Sequence, residues 1–355
     1  MNSRSTPPAT GTMDTLMKAD RPAVTTPVGL LVFFRSRGII VLWILMLVVF
    51  SLTSQVFGTP TNFSLILGAA AVTSIFAAGV AFGVMSGALD LSIPGTAAFS
   101  GVVVGLLLNA DVPPVLAIFV GLLVGAGIGV VNGLIVLRGL NPLVVTIGSL
   151  AALGGLASVM SKGIPVSGLT QMKFIGTDRY FGIPAPVYVV AALFLIGTFF
   201  LTRTRAGVRM LAVGGNAEAV RRSGVNSDFY RVLGFVLGGV CAALGGIVTA
   251  AVVTQASPSA SPGILFEALT AVALSGLALT GGRGSLPLVL VGALVIATIN
   301  SYLVIKNVQP YWTDVITGLL LIAALALDRY LGGLVSTRLI SDASILGRRG
   351  RSEGK

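Results

Sequence analysis

Eight polar side chains lie inside or at the ends of long apolar runs: Asp90, Ser92, Asn132, Asn141, Thr146, Glu267, Asn300 and Asp314. A carboxylate held in hydrocarbon costs about 2.5 to 3.5 kcal/mol on insertion scales, so each should face a polar interior, a membrane boundary or a neighbouring helix. They are the candidates for a solute pathway or gate, and the plainer role for any of them is a bond to the next helix. None pairs a carboxylate with a base as a proton relay would. The chain has no histidine, and Cys241 is its single cysteine. His/Cys metal sites, disulfides and Ser/His or Cys/His nucleophiles therefore cannot be assembled from it. The only Gly-Lys pair is Gly354-Lys355, so no phosphate-cradling G-x-x-x-x-G-K-[ST] loop occurs. The chain is expected to be no enzyme and to bind no metal or cofactor of its own.

The elements that must hold these residues are membrane spans. Of 355 residues, 55% are hydrophobic and 10% charged, with 46 glycines and a mean hydropathy of +0.97. Ordinary soluble domains carry about 25% charged residues. The expected fold class is all-α, a polytopic membrane protein. Apolar runs fall at about 39–57, 63–85, 93–109, 115–137, 143–160, 187–202, 231–253, 264–280, 286–305 and 311–328. That makes about ten transmembrane helices, with 93–109, 187–202 and 264–280 short for a crossing. Residues 1–38 are read as a disordered cytoplasmic tail, 39–330 as the transmembrane domain and 331–355 as a basic cytoplasmic tail. Placing both termini in the cytoplasm leaves only Lys162, Lys173, Arg179 and Lys306 outside, among 23 basic residues. This asymmetry satisfies the positive-inside rule and accounts for the net charge of +11 without nucleic acid.

Two loops are long enough to do something. The outer segment Ser161–Pro186 is punctuated by glycine and proline and is a candidate docking surface. The inner segment Arg203–Arg231 contains Gly214-Gly215-Asn216-Ala217-Glu218-Ala219-Val220-Arg221-Arg222-Ser223-Gly224. It reads as a short helix capped by Asn216, with Glu218 at its positive end and Gly224 as a left-handed stop. Glu218 and Arg222 form an i,i+4 pair. Two turns of helix are marginal alone, so tertiary or partner contacts must hold it. Ser86-Gly87-Ala88-Leu89-Asp90-Leu91-Ser92 leads into the 93–109 run, with Ser92 expected as the helix cap and Pro94 in the first turn. Gly281-Gly282-Arg283-Gly284-Ser285-Leu286-Pro287 repeats that arrangement. Gly121, Gly125, Gly129 and Gly133, with Gly234 and Gly238, are expected to be close-packing faces.

With these motifs in hand, the chain resembles the inner-membrane permease subunit of ribose/xylose/arabinose-type sugar importers of the ATP-binding cassette class, from about residue 39 to 328. The resemblance rests on Ser86–Ser92, on Asn141-Pro142-Leu143-Val144-Val145-Thr146-Ile147-Gly148, on Gly214–Gly224 and on Gly281–Ser285. The chain departs from the family pattern at Ala88, Pro94 and Pro287. The resemblance implies a multi-pass protein of the bacterial inner membrane that imports a monosaccharide or a related polyol or furanose. ATP and Mg would be used by a partner cytoplasmic ATPase. The other implied partners are a periplasmic or lipid-anchored sugar-binding protein and a second permease copy, the whole a homodimer or pseudodimer. It further implies that the helix docking on the ATPase falls on Gly215, Asn216, Glu218, Ala219, Arg221, Arg222 and Gly224. Alternatives are a branched-chain amino-acid-type permease of the same class and an ATP-independent secondary carrier.

Overall fold

Apolar side chains around the whole circumference of most helices make the fold a bundle whose outer surface is itself hydrophobic, as lipid requires and water forbids. The computed structural model describes residues 27–277, 281–282, 284–326 and 329–330, with side chains from Gly38 onward. Arg283, and nearly all of the basic tails, lie outside the described residues. In chain order the helices are α1 (Pro27–Thr53), α2 (Pro60–Met85), α3 (Ile93–Asn109), α4 (Pro114–Leu137), α5 (Pro142–Ser161), α6 (Ala185–Arg203), α7 (Arg205–Arg222), α8 (Ser227–Val253), α9 (Pro262–Leu274), α10 (Leu286–Ile305) and α11 (Pro310–Ala326). Helix α1 starts at Pro27, inside the segment read as a tail.

Six of these, α2, α4, α5, α6, α8 and α10, are long and apolar enough to cross a bilayer, and four further apolar stretches are shorter. The described chain is thus a mostly helical, polytopic membrane protein. Leu52, Val115, Val144, Val159, Leu195 and Leu319 are largely exposed on its flanks. Pro in the first turn opens α2, α3, α4, α5, α6, α9 and α10. The missing N–H falls where no intrahelical bond is made, so the spans start sharply at no backbone cost.

Helices α2 and α8 form the axis of the core, which includes Phe76, Phe82, Met85, Ala242 and Val248. The glycine ladder does what its spacing suggests. A Cβ on Gly125 would collide with the Gly239 carbonyl, and one on Gly129 with that of Phe235, so α4 and α8 touch backbone to backbone. With no hydrophobic drive between helices in lipid, that approach is the main source of their attraction.

The outer segment after α5 departs from an all-α reading. Strand β1 (Val166–Ser167) pairs with β4 (Gln255–Ala256), and β2 (Arg179–Tyr180) pairs with β3 (Ile183–Pro184). Leu169 and Met172 are fully buried and pin the loop down. Phe181 and Gly182 both have positive φ, 53° and 80°, the two-residue hairpin turn that matches strand twist. That turn holds Phe181 wholly in the open.

Candidate functional site

Helix α7 begins with a cap, the Thr204 hydroxyl accepting from the Gly207 N–H at 3.0 Å. It breaks at Asn216, whose φ of −161° and ψ of 92° are not helical. Asn216 Oδ1 accepts from Ala219 N–H at 2.9 Å and so starts a second, two-turn helix. That helix ends at Gly224, φ +78°, with Gly224 N–H donating to the Arg221 carbonyl. Glu218 accepts from Arg221 at 2.6 Å and from Arg222 at 3.1 Å. All three side chains are more than half exposed, so these pairs add little stability and present a charged outer face. Ala217 and Val220 turn inward onto the core. The capped helix expected from the sequence is present, and the helical half before it, with Met210 and Val213 buried, is what the sequence reading missed.

Where the two halves meet, two loops remote in sequence converge on α7. A Cβ on Gly214 would collide with the Met85 carbonyl and lie 2.9 Å from Gly282 N. One on Gly282 would collide with the Gly215 Cα, and one on Gly87 would lie 3.2 Å from the Gly214 Cα. The Ser86–Ser92 and Gly281–Gly282 turns therefore grip the α7 backbone from two sides with no side chain between. No periodicity announces this junction, because each glycine is accounted for locally by its own turn.

The Ser86–Ser92 loop then rises into the bundle. Asp90 lies against Gly238, which is 11 residues past the start of α8, about 16 Å along the axis. Asp90 is fully buried, and its Oδ1 accepts from Ser92 N–H at 2.8 Å and from the Ser92 hydroxyl at 2.6 Å. Ser92 holds the N-cap position of α3 but makes no side-chain cap bond: its hydroxyl donates to Asp90, and its oxygen accepts from Asn132 and not from a first-turn amide. Asn132 Nδ2 donates to Ser92 Oγ at 3.0 Å, and Asn132 Oδ1 accepts from Ser149 Oγ at 2.5 Å. One buried chain thus joins the loop to α4 and α5. Ser149 was absent from the expected set and is recognisable only once α5 is placed beside α4.

Glu267 and Asn300 form a second group. Glu267 Oε1 accepts from Asn300 Nδ2 at 3.4 Å and Oε2 from Thr73 Oγ1 at 3.2 Å, tying α2, α9 and α10. Asn141 caps α5 through Leu143 N–H at 2.9 Å, and Thr146 donates to the Pro142 carbonyl of its own helix. Those two have local structural roles. Asp314 is exposed in the first turns of α11, with Oδ1 3.8 Å from where a Gly263 Cβ would lie. Ser285 makes no side-chain cap bond either, though Pro287 does occupy the first turn of α10.

A family model described as the permease component of branched-chain amino acid transport systems matches residues 62–325. The chain is 34% identical over 308 residues to the D-allose transport system permease protein of Escherichia coli, covering 85% of this chain and 94% of the relative. It is 32% identical over 292 residues to the ribose import permease protein of Bacillus subtilis, covering 81% and 90%. It is 31% identical over 296 residues to the L-arabinose transporter permease of Azospirillum brasilense, covering 82% and 87%. No solved structure gives a significant match.

Proposed function

Since the chain belongs to the permease-component family of ATP-binding cassette transport systems, we propose that the Asn216–Gly224 helix is its docking element for the ATPase and the glycine junction the route by which that element moves the spans. The chain itself is the multi-pass, inner-membrane permease subunit of a bacterial sugar importer, a transport component and not an enzyme. The relatives named for allose, ribose and arabinose favour a sugar over a branched-chain amino acid. The solute is a monosaccharide or a related polyol or furanose. It passes through a subunit with ten spans and both termini in the cytoplasm, and a second copy completes the importer. The exposed face of α5 suits that copy, since a Cβ on Gly148 or Gly155 would meet nothing within 4 Å. The rigid hairpin that presents Phe181, beside the pinned Ser161–Pro186 loop, suits an external sugar-binding protein.

The observation that carries the coupling assignment is the seating of Gly214 between Met85, Gly87 and Gly282. ATP binding closes the partner ATPases and displaces the exposed half of α7. The break at Asn216 sets the angle of that half, and the buried half passes the displacement to both clasping loops. Coupling of this kind needs two positions of α7 that the nucleotide state biases. The test reverses the charges, Arg221→Glu and Arg222→Glu, and changes Asn216→Ala. Sugar uptake and sugar-stimulated ATPase activity should both fall while membrane insertion persists; unchanged uptake would end the assignment.

A further inference from the structure

The Ser86–Ser92 loop ends in mid-bundle, and α3, which it launches, is only 17 residues long. Helix α9, which ends toward the Gly281–Gly282 clasp, has 13 residues. Broken backbone at membrane depth is tolerated where protein buries it or where it lines a cavity, and membrane transporters place solute sites beside such discontinuous helices. A cavity of about 280 Å³ lies at this place. One wall is α3, with Pro94, Ala97, Ala98 and Gly101, and the facing wall is the last turns of α8, with Thr249 and Val253. Phe76 of α2 closes one side, and the Gln255–Ser261 connection forms the rim.

The chemistry of the lining is specific. Ser259 and Ser261 hydroxyls, the Ser257 hydroxyl proton and the Gln255 amide N–H supply donors, and Thr249, whose own proton goes to the Gly245 carbonyl, supplies an acceptor, against a single aromatic ring and small aliphatic groups. The first turns of α3 and α9 both border the cavity, and no side chain caps either helix start. The start of α3 already has the Asp90 carboxylate beside it, so the uncapped start of α9, at Ser261, is the one that favours oxygen-rich solutes here. A face of C–H groups edged by hydroxyls matches a ring and a polar rim of this kind. The size lies at the small end of ligand pockets.

We infer that this cavity is a solute seat within the permease itself, taking a monosaccharide-sized polyhydroxyl compound and contributing to the choice among sugars. It rests on the sugar-importer reading and adds to it a specificity element that need not reside in the binding protein. Its α3 wall is attached to one clasping loop and its α9 border to the other, so movement of α7 changes its shape. The Gln255–Ser261 rim, joined to the outer loop through Val166 and Ala256, is its outer lid.

The test uses the complete importer in proteoliposomes with labelled D-allose, D-ribose and L-arabinose. For the triple variant Gln255→Leu, Ser257→Val, Ser259→Val, uptake of the preferred sugar should fall about tenfold or more and the ranking of the three should change. ATPase stimulation by loaded binding protein should persist. Wild-type uptake and ranking in that variant would overturn the seat. Absence of uptake of these three and of a wider panel of pentoses, hexoses and polyols by the unmodified importer would instead overturn the sugar reading. A second arm covers a variant that folds poorly. Cys241 is buried, so Ser259→Cys provides one accessible thiol, and saturating preferred sugar should slow its maleimide labelling several-fold. Labelling that sugar leaves unchanged overturns the seat.

Discussion

The two ends of the Ser86–Ser92 loop and its α3 helix are built on opposite principles. At the α7 end, Gly87, Gly214 and Gly282 meet backbone to backbone, and no methyl group fits between them. At the other end, Pro94, Ala97 and Ala98 face open space edged by serines. A contact that must pass on a displacement gains from having no soft side chain within it, because packed interiors transmit strain. A surface that must admit a solute needs room and unsatisfied polar groups. The same few residues therefore connect a stiff joint to a hollow.

Four changes would break or sharpen that contrast. The largest effect is expected from Gly214→Val, which places a branched side chain against the Met85 carbonyl. Overpacking of this kind costs about 3 kcal/mol, and both coupled uptake and the melting temperature of the purified subunit should drop. Asn132→Leu comes next. It strands the Ser149 hydroxyl and removes the donor to Ser92 Oγ, at about 1 to 3 kcal/mol, and should lower thermal stability together with the sugar transported per ATP hydrolysed. Glu267→Gln keeps one of the two acceptor oxygens, for Asn300, and its amide N–H can donate to the Thr73 hydroxyl oxygen; it lies away from the joint, so uptake should change by less than about threefold. Glu218→Ala is the smallest in stability, within about 0.5 kcal/mol, because its partners are solvated. Melting curves should superimpose on wild type while ATPase stimulation weakens.

The apolar helices are plain in the sequence, because a run of some 20 apolar residues is seldom anything but a membrane crossing. The Asn216 cap, the Gly224 stop and the α4 glycine ladder are legible too, all of them local in spacing. Ser92 is where the sequence misleads. There, Ser followed by Ile-Pro is an ordinary helix start, but the hydroxyl is turned toward Asp90 and Asn132 and away from the first-turn amides. Ser149 and Thr73 leave no trace, since a hydroxyl within an apolar run looks the same whether it bonds its own helix, as Thr146 does, or a partner across the bundle. The first half of α7 is equally hidden, because Val208 and Leu211 are interleaved with arginines and read as loop. The meeting of Gly87, Gly214 and Gly282 depends on contacts about 70 to 200 residues apart in the chain.

Because α3 begins partway along the bundle, the space beneath its first turn is filled by the Ser86–Ser92 turn resting on α7 and by the buried side chains around it, Met85 and Ile93 among them. That turn is then also insulation. A substitution that lifts it off Gly214 should let small ions through and discharge the membrane even in cells given no sugar, a penalty that would select against looseness at this spot independently of transport.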